Sequence, residues 1–165
     1  MKLFLLTIFL AVLLSSCYSY RIFPKEYRNF TYTGEKKDAF ILNPELTKEL
    51  QIFKQAGVFK LVTDTVNKPV VKIKLYPLQL NFACGQPIIG SFITLGQVPV
   101  LLPDKYQYRF DEVQSTDTIP RYYELKIATR YWFWDMFAVK KKFNQKTGQT
   151  LLAEYYNPQL SATFK

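Results

Sequence analysis

The chain has no histidine anywhere in its 165 residues. Imidazole acid–base catalysis, Ser–His–Asp triads and histidine-ligated metal centres are therefore excluded. Cysteine is nearly absent too: only Cys17 and Cys84 occur. If the first is modified, no intramolecular disulfide can form. Cys84 precedes Gly85 and has no basic residue close in sequence, so it reads as a small apolar side chain rather than a reactive thiol. The six glycines are isolated, which leaves no glycine-rich phosphate loop. No Ser-x-x-Lys occurs, and the 13 carboxylates show no catalytic spacing. Asp111 and Glu112 are adjacent, so on a strand they point to opposite faces. The expectation is a non-enzyme with no catalytic residues, no cofactor and no metal site.

Long hydrophobic runs are missing as well. Leu3 to Leu14 is apolar apart from Thr7, well short of the roughly 20 residues that span a bilayer. Met1-Lys2 before it and Ser15-Ser16 after it make an export signal. Leu14-Ser15-Ser16-Cys17 resembles the lipobox of bacterial lipoproteins: an aliphatic residue, two small ones, then cysteine. The resemblance implies cleavage before Cys17 and a diacylglycerol thioether on its sulfur. Each buried CH₂ contributes about 0.8 kcal/mol and one acyl chain binds only marginally, so two or three chains would hold the protein durably. Residues 1–16 are then a signal peptide, and Cys17 is the lipid-attachment residue. Tyr18 is not the aspartate that resembles an inner-membrane retention signal, and Tyr18-Ser19-Tyr20-Arg21 is unlike acidic surface-export tracts. The expected location is the periplasmic face of an outer membrane, with the Gram type of the source left open.

Charge is present but scattered. The formal net charge of +9 falls to +8 once Lys2 leaves with the signal, and Lys140-Lys141-Lys142 is the one run. An exported, lipid-held domain meets anionic lipid, lipopolysaccharide or another envelope protein before nucleic acid. The expected partners are the membrane, through the lipid, and such envelope components; nucleic acid is not expected. Oligomeric state is open.

An apolar fraction of 48% supports a packed core, and the fold class reads as α+β. Residues 17–38 are expected to form an aromatic-rich tether, with the rings at the membrane interface or with the latter part packed on the domain. Residues 39–165 are expected as one domain. Ala39–Leu42 reads as a first strand. Asn43-Pro44 marks a helix start with Asn43 as cap, and Gly57 marks its end, giving a helix over 44–56. Val58–Asp64 and Val71–Leu75 read as strands. Apolar parity shifts after Tyr76-Pro77, to Leu78, Leu80 and Phe82, which demands a bulge or bend there. Residues 75–103 carry no charge at all. Within them 87–95 predicts a second, short helix, with Pro87 near its start and Gly96 at its end.

Tyr106–Asp111 alternates as a strand, Thr116–Pro120 reads as a turn, and Tyr122–Thr129 is extended again. Phe143 to Tyr156 reads as a hairpin turning at Lys146-Thr147-Gly148. The expected sheet is antiparallel or mixed, of about five to seven strands. The run Tyr131-Trp132-Phe133-Trp134 supports two readings. At least two of its rings are core, or Trp132 and Trp134 join Lys140, Lys141 and Lys142 in a membrane or partner surface.

Gln55-Ala56-Gly57-Val58-Phe59 and Thr94-Leu95-Gly96-Gln97-Val98-Pro99 resemble segments of small bacterial envelope lipoproteins. That resemblance touches roughly residues 44–112, implies a compact α+β domain and brings no activity with it. The leading functional reading is a lipid-anchored binding or assembly-accessory module. A lipid or lipopolysaccharide carrier with an apolar cavity lined by 75–103 is the alternative, and a small hydrolase has least to support it.

Overall fold

A computed structural model describes residues 18–63, 70–81, 97–114, 117–132, 134–135 and 142–157. The expected lipobox with Cys17, Cys84, the expected helix 87–95, Phe133 and Lys140-Lys141 lie outside the described residues. In chain order the elements are β1 (Tyr18–Ile22), a 3₁₀ helix (Lys25–Asn29), β2 (Asp38–Ile41), α1 (Thr47–Ala56), β3 (Lys60–Leu61) and β4 (Val71–Leu75). Then follow β5 (Gln79–Asn81), β6 (Val100–Val113), β7 (Thr118–Tyr131) and α2 (Phe143–Tyr156). The fold is α+β. Seven strands make one mixed sheet in the order β1-β7-β6-β4-β2-β3, with β5 also pairing β6. β2 runs parallel to β3 and β4, and the other pairs are antiparallel.

The core lies between the sheet's inner face and the two helices. Ile73, Leu75, Tyr108, Phe110 and Leu125 from the sheet meet Ile52, Phe53, Ala56 and Leu151 from the helices, all buried. Phe110 is the hub of this layer. Its ring lies 5.3 Å from Phe53, 5.8 Å from Tyr123 and 6.4 Å from both Phe59 and Tyr155. Such edge-to-face and offset pairs contribute roughly 0.5–1.5 kcal/mol each beyond burial.

The parity shift at Pro77 has its structural cause in β6. Leu75 pairs Phe110 and Gln79 pairs Gln107, so three residues of the β4–β5 stretch face two of β6. This one-residue bulge brings Leu78 onto the core face that Ile73 and Leu75 occupy before it, while Leu80 beyond it is exposed. Pro120 sits inside a long strand, on a stretch of β7 beyond the β1 ladder, which reaches only Ile127, so among the described strands its one neighbour is β6; a strand proline needs such an edge position.

Four expectations are corrected. α1 begins at Thr47, not Pro44, and no side chain caps it. Asn43 instead uses its carboxamide as one more peptide unit of the β2–β4 ladder. Its Nδ2 donates to the Leu75 carbonyl and its Oδ1 accepts from the Leu75 N–H, both at 2.8 Å. Gly57 ends the helix as expected, in the left-handed region at φ 59° with its N–H donating to the Phe53 carbonyl.

The expected hairpin over 143–156 is helix α2. Gly148 serves helix packing rather than a turn. A Cβ there would lie 2.7 Å from the backbone N of Ala56 and 2.8 Å from the carbonyl carbon of Gln55, so only glycine lets α2 approach α1 this closely. Thr147 and Thr150 are buried, and their hydroxyls donate to the carbonyls of Phe143 and Lys146 one turn back, which leaves neither unsatisfied.

The turn expected at 116–120 gives way to strand from Thr118, since β6 runs to Val113, β7 begins at Thr118 and the Gln114 N–H donates to the Asp117 carbonyl. Finally, the stretch expected as a tether joins the fold from Tyr18 onward, since β1 pairs β7 from Tyr18 opposite Tyr131 to Ile22 opposite Ile127. Tyr27 is buried and donates to Glu154 of α2 at 3.0 Å. Packing of the latter part on the domain is one of the two arrangements expected of this stretch, and Phe23 within it stays exposed.

Candidate functional site

Two surfaces stand out, one at an end of the sheet and one on its outer face. The first lies where the chain enters the described fold. The register sets Tyr18, Tyr131 and Val100 side by side at the start of β1, the end of β7 and the start of β6. The Tyr18 and Tyr131 rings are 6.2 Å apart. Around them Val98, Leu101, Tyr131 and Trp134 are exposed, half of the eight large hydrophobic side chains exposed among the described residues. Trp134 is 58% exposed.

Trp132 is half-buried. Its indole N–H donates to the Gln97 carbonyl at 3.1 Å, and the Arg130 guanidinium lies 4.7 Å from its ring. Among the rings of 131–134, Tyr131 and Trp134 are exposed and Trp132 is half-buried, while Phe133 lies outside the described residues. β7 ends at Tyr131, and among the described residues that follow it Asp135 is buried. Asp135 accepts from Arg130 and from the Ser19 hydroxyl, which ties the end of β7 to β1.

Cationic side chains collect behind this end. Phe143, the first residue of α2, packs 5.0 Å from Tyr20, and exposed Lys142 precedes it. Lys146 donates to the Tyr20 carbonyl. Burial, then Arg21 and Arg130, push the Lys146 ammonium below its ordinary pKa. Burial lifts the Tyr20 phenol to about 12 and the Tyr106 phenol to about 12. Of the side chains expected to form a membrane or partner surface, Trp132 and Trp134 lie at this end and Lys142 is exposed just before α2; Lys140 and Lys141 lie outside the described residues.

The second surface is the sheet's outer face, turned away from both helices. Adjacent strands form cross-strand rows there. Lys74 faces Asp111, Arg109 faces Tyr122, Gln79 faces Gln107 and then Glu124, and Asn81 faces Lys105 and then Lys126. The Arg109 guanidinium is held between two rings, 4.2 Å from Tyr76 and 4.9 Å from Tyr122. Tyr76 donates its hydroxyl to Asp111 at 2.7 Å, and this bond is the main reason its pKa is raised. Asp111 is buried, and its other oxygen lies 3.6 Å from Arg109 without a hydrogen bond. Glu124 serves two lysines, Lys105 at 3.2 Å and Lys126 at 3.8 Å. Tyr76, Gln79, Gln107, Arg109, Tyr122 and Glu124 line an open groove of about 460 Å³.

This groove is not among the sites read from the sequence. The signal is there, in the alternation of Tyr122, Glu124 and Lys126 opposite Gln107 and Arg109. It becomes readable only once the hairpin register is known, and a turn placed at 116–120 sets the wrong register. Asp111 and Glu112 do point to opposite faces: Asp111 meets Arg109 and Tyr76 outside, while Glu112 accepts from Arg121 and Tyr155 inside.

No protein-family model matches the chain, and no curated protein does. Among solved structures, a minor lipoprotein from Acinetobacter baumannii is 18% identical, over 78% of this chain and 93% of that one, with a TM-score of 0.30. A likeness at that level carries no argument about fold or function.

Proposed function

We propose that the chain is a lipid-anchored protein of the cell envelope, with a non-catalytic binding domain seated on the membrane by the end of its sheet. The observation that carries this reading is the position of Tyr18. The residue after the lipobox cysteine opens β1 at the end of the sheet where Val98, Leu101, Tyr131 and Trp134 are exposed. A lipid on Cys17 therefore leaves almost no slack between bilayer and domain. Apolar and aromatic side chains at that end are suited to the headgroup layer. Lys142, and Lys140-Lys141 beside it in sequence, add attraction to anionic lipid of about 1 kcal/mol per cation near the surface. Among the described residues no helix is long and apolar enough to cross a membrane.

The proposed side of the membrane is the periplasmic face of an outer membrane, on the ground that the residue after the cysteine is Tyr18 and not the aspartate that resembles an inner-membrane retention signal. Radiolabelled palmitate tests the anchor. It should enter the wild-type protein and be missing from Cys17→Ser, and equal labelling of the two removes the proposal. Protease added to intact cells tests the side: the domain should be protected, and ready cleavage places it outside.

A further inference from the structure

We infer that the outer-face groove centred on Arg109 and Tyr122 is a binding site for a saccharide that carries an acidic group. Three features of the groove point to this chemistry together. Tyr122 is 66% exposed, with one face against the Arg109 guanidinium 4.9 Å away, so its remaining surface is a fixed aromatic platform. Ordinary surface tyrosines are mobile; this one is stacked, and a flat ring held in place is what the apolar face of a sugar ring packs against. Next to it, Gln79, Gln107 and Glu124 form one row across three strands, all exposed. Planar amide and carboxylate groups offer paired donors and acceptors, which suits vicinal hydroxyls.

The third feature is charge. Lys74, Lys105, Arg109 and Lys126 surround that row against Asp111 and Glu124, the acids that face it among the described residues, and each acid is already shared between two partners. The excess is positive. A neutral sugar would leave it uncompensated, whereas a carboxylate or phosphate on the ring would meet it. Arg109 is the natural contact, because its guanidinium is held flat by Tyr76 and Tyr122 and bonds acidic oxygens in the plane of its fork. Same-face rows step by about 6.8 Å along a strand, so the Arg109 and Lys105 rows lie about 14 Å apart. That is room for a short oligosaccharide rather than a single ring.

This site lies on the outer face, apart from the surface that seats the domain on the membrane, and its test does not depend on the lipid. The full chain, purified in neutral detergent, is titrated calorimetrically with tri-galacturonate (carboxylate), with glucose 1-phosphate (phosphate) and with maltotriose (neutral). At least one acidic probe should bind with millimolar affinity or better, weakening as salt is raised, and maltotriose should bind at least ten-fold more weakly. Which acidic probe binds identifies the source of the charge. Tyr122→Ala, at a side chain exposed enough to leave the fold intact, should weaken binding at least five-fold, and Lys105→Gln should reduce its salt dependence. Arg109→Lys keeps the charge but loses the planar fork, and should weaken the acidic probe more than it alters thermal stability. No binding of either acidic probe, equal binding of maltotriose, or full affinity in Tyr122→Ala overturns the inference.

Discussion

Gly148→Ala sets two familiar effects against each other, and the structure decides which wins. Gly148 is in the middle of α2 and buried. On an open helix face, alanine in place of glycine would stabilise by about 1 kcal/mol. Here the added methyl would meet Ala56 N at 2.7 Å and Gln55 C and Cβ at 2.8 Å. Two of those three atoms are backbone of α1, so no side-chain rotation relieves the contact. The helices must separate by several tenths of an ångström. That loosens the packing of Leu151 against Ile52 and Ala56 and stretches the Asn144–Gln51 hydrogen bond, now 2.6 Å. Overpacking of this kind costs about 1–3 kcal/mol, up to the upper part of that range where backbone is the obstacle. Set against the propensity gain, the net is a loss of about 1–2 kcal/mol, or roughly 2–8 °C in Tm for a chain of this size. Urea melts of the two proteins by far-ultraviolet circular dichroism read this directly. A Gly148→Ala protein more stable than wild type would refute the close approach of the helices.

Asn43→Ala should cost about 1–3 kcal/mol, because it strands the buried Leu75 N–H and carbonyl. Denaturant titration checks this, and a loss no larger than that of an exposed loop residue would contradict the ladder role. Raising the pH from 9 to 12 should destabilise the protein. Tyr20, Tyr106 and Tyr155 hold their protons to about 12, through burial first, while the unfolded chain releases them near 10. Between those values the folded state binds more protons, so stability falls as pH rises; ultraviolet titration showing all tyrosines ionising together near 10 would speak against it. Trp134→Ala, at a side chain 58% exposed, should weaken adsorption to anionic vesicles while leaving the protein folded, as circular dichroism checks. Trp132→Ala should cost stability, since it removes the bond to Gln97 and the contact with Arg130.

Much of the fold was legible because periodicity and punctuation agreed. Val71–Leu75 alternates Ile73 and Leu75 inward with Lys72 and Lys74 outward, and the parity shift at Pro77 announced the bulge that β6 imposes. Helix α1 was readable from Leu50, Phe53 and Gly57, though its start was not. Asn43 is as good a cap as it is a ladder mimic, and only the partner strand tells the two apart. Helix α2 was illegible for a related reason. Lys-Thr-Gly has the local preference of a turn, and what overrides it is contact with α1, β1 and β7, all distant in sequence. The groove failed to appear for want of register, since which residues face Arg109 depends on where the hairpin loop closes. The aromatic run left core and surface readings open, because composition does not say where the strand stops, and β7 ends at Tyr131, the first of its rings.

The chain has two tryptophans, Trp132 and Trp134, and both lie at the end of the sheet proposed to sit on the membrane. Tryptophan emission therefore reports on that surface alone. The lipidated protein should be reconstituted into vesicles whose acyl chains carry bromine near the headgroup, with Cys17→Ser as the unanchored control. The account predicts strong quenching and a blue shift for the lipidated protein, and little of either for the control. Emission that stays unquenched and at its detergent-free wavelength after reconstitution would mean the domain hangs away from the bilayer, and would contradict the account.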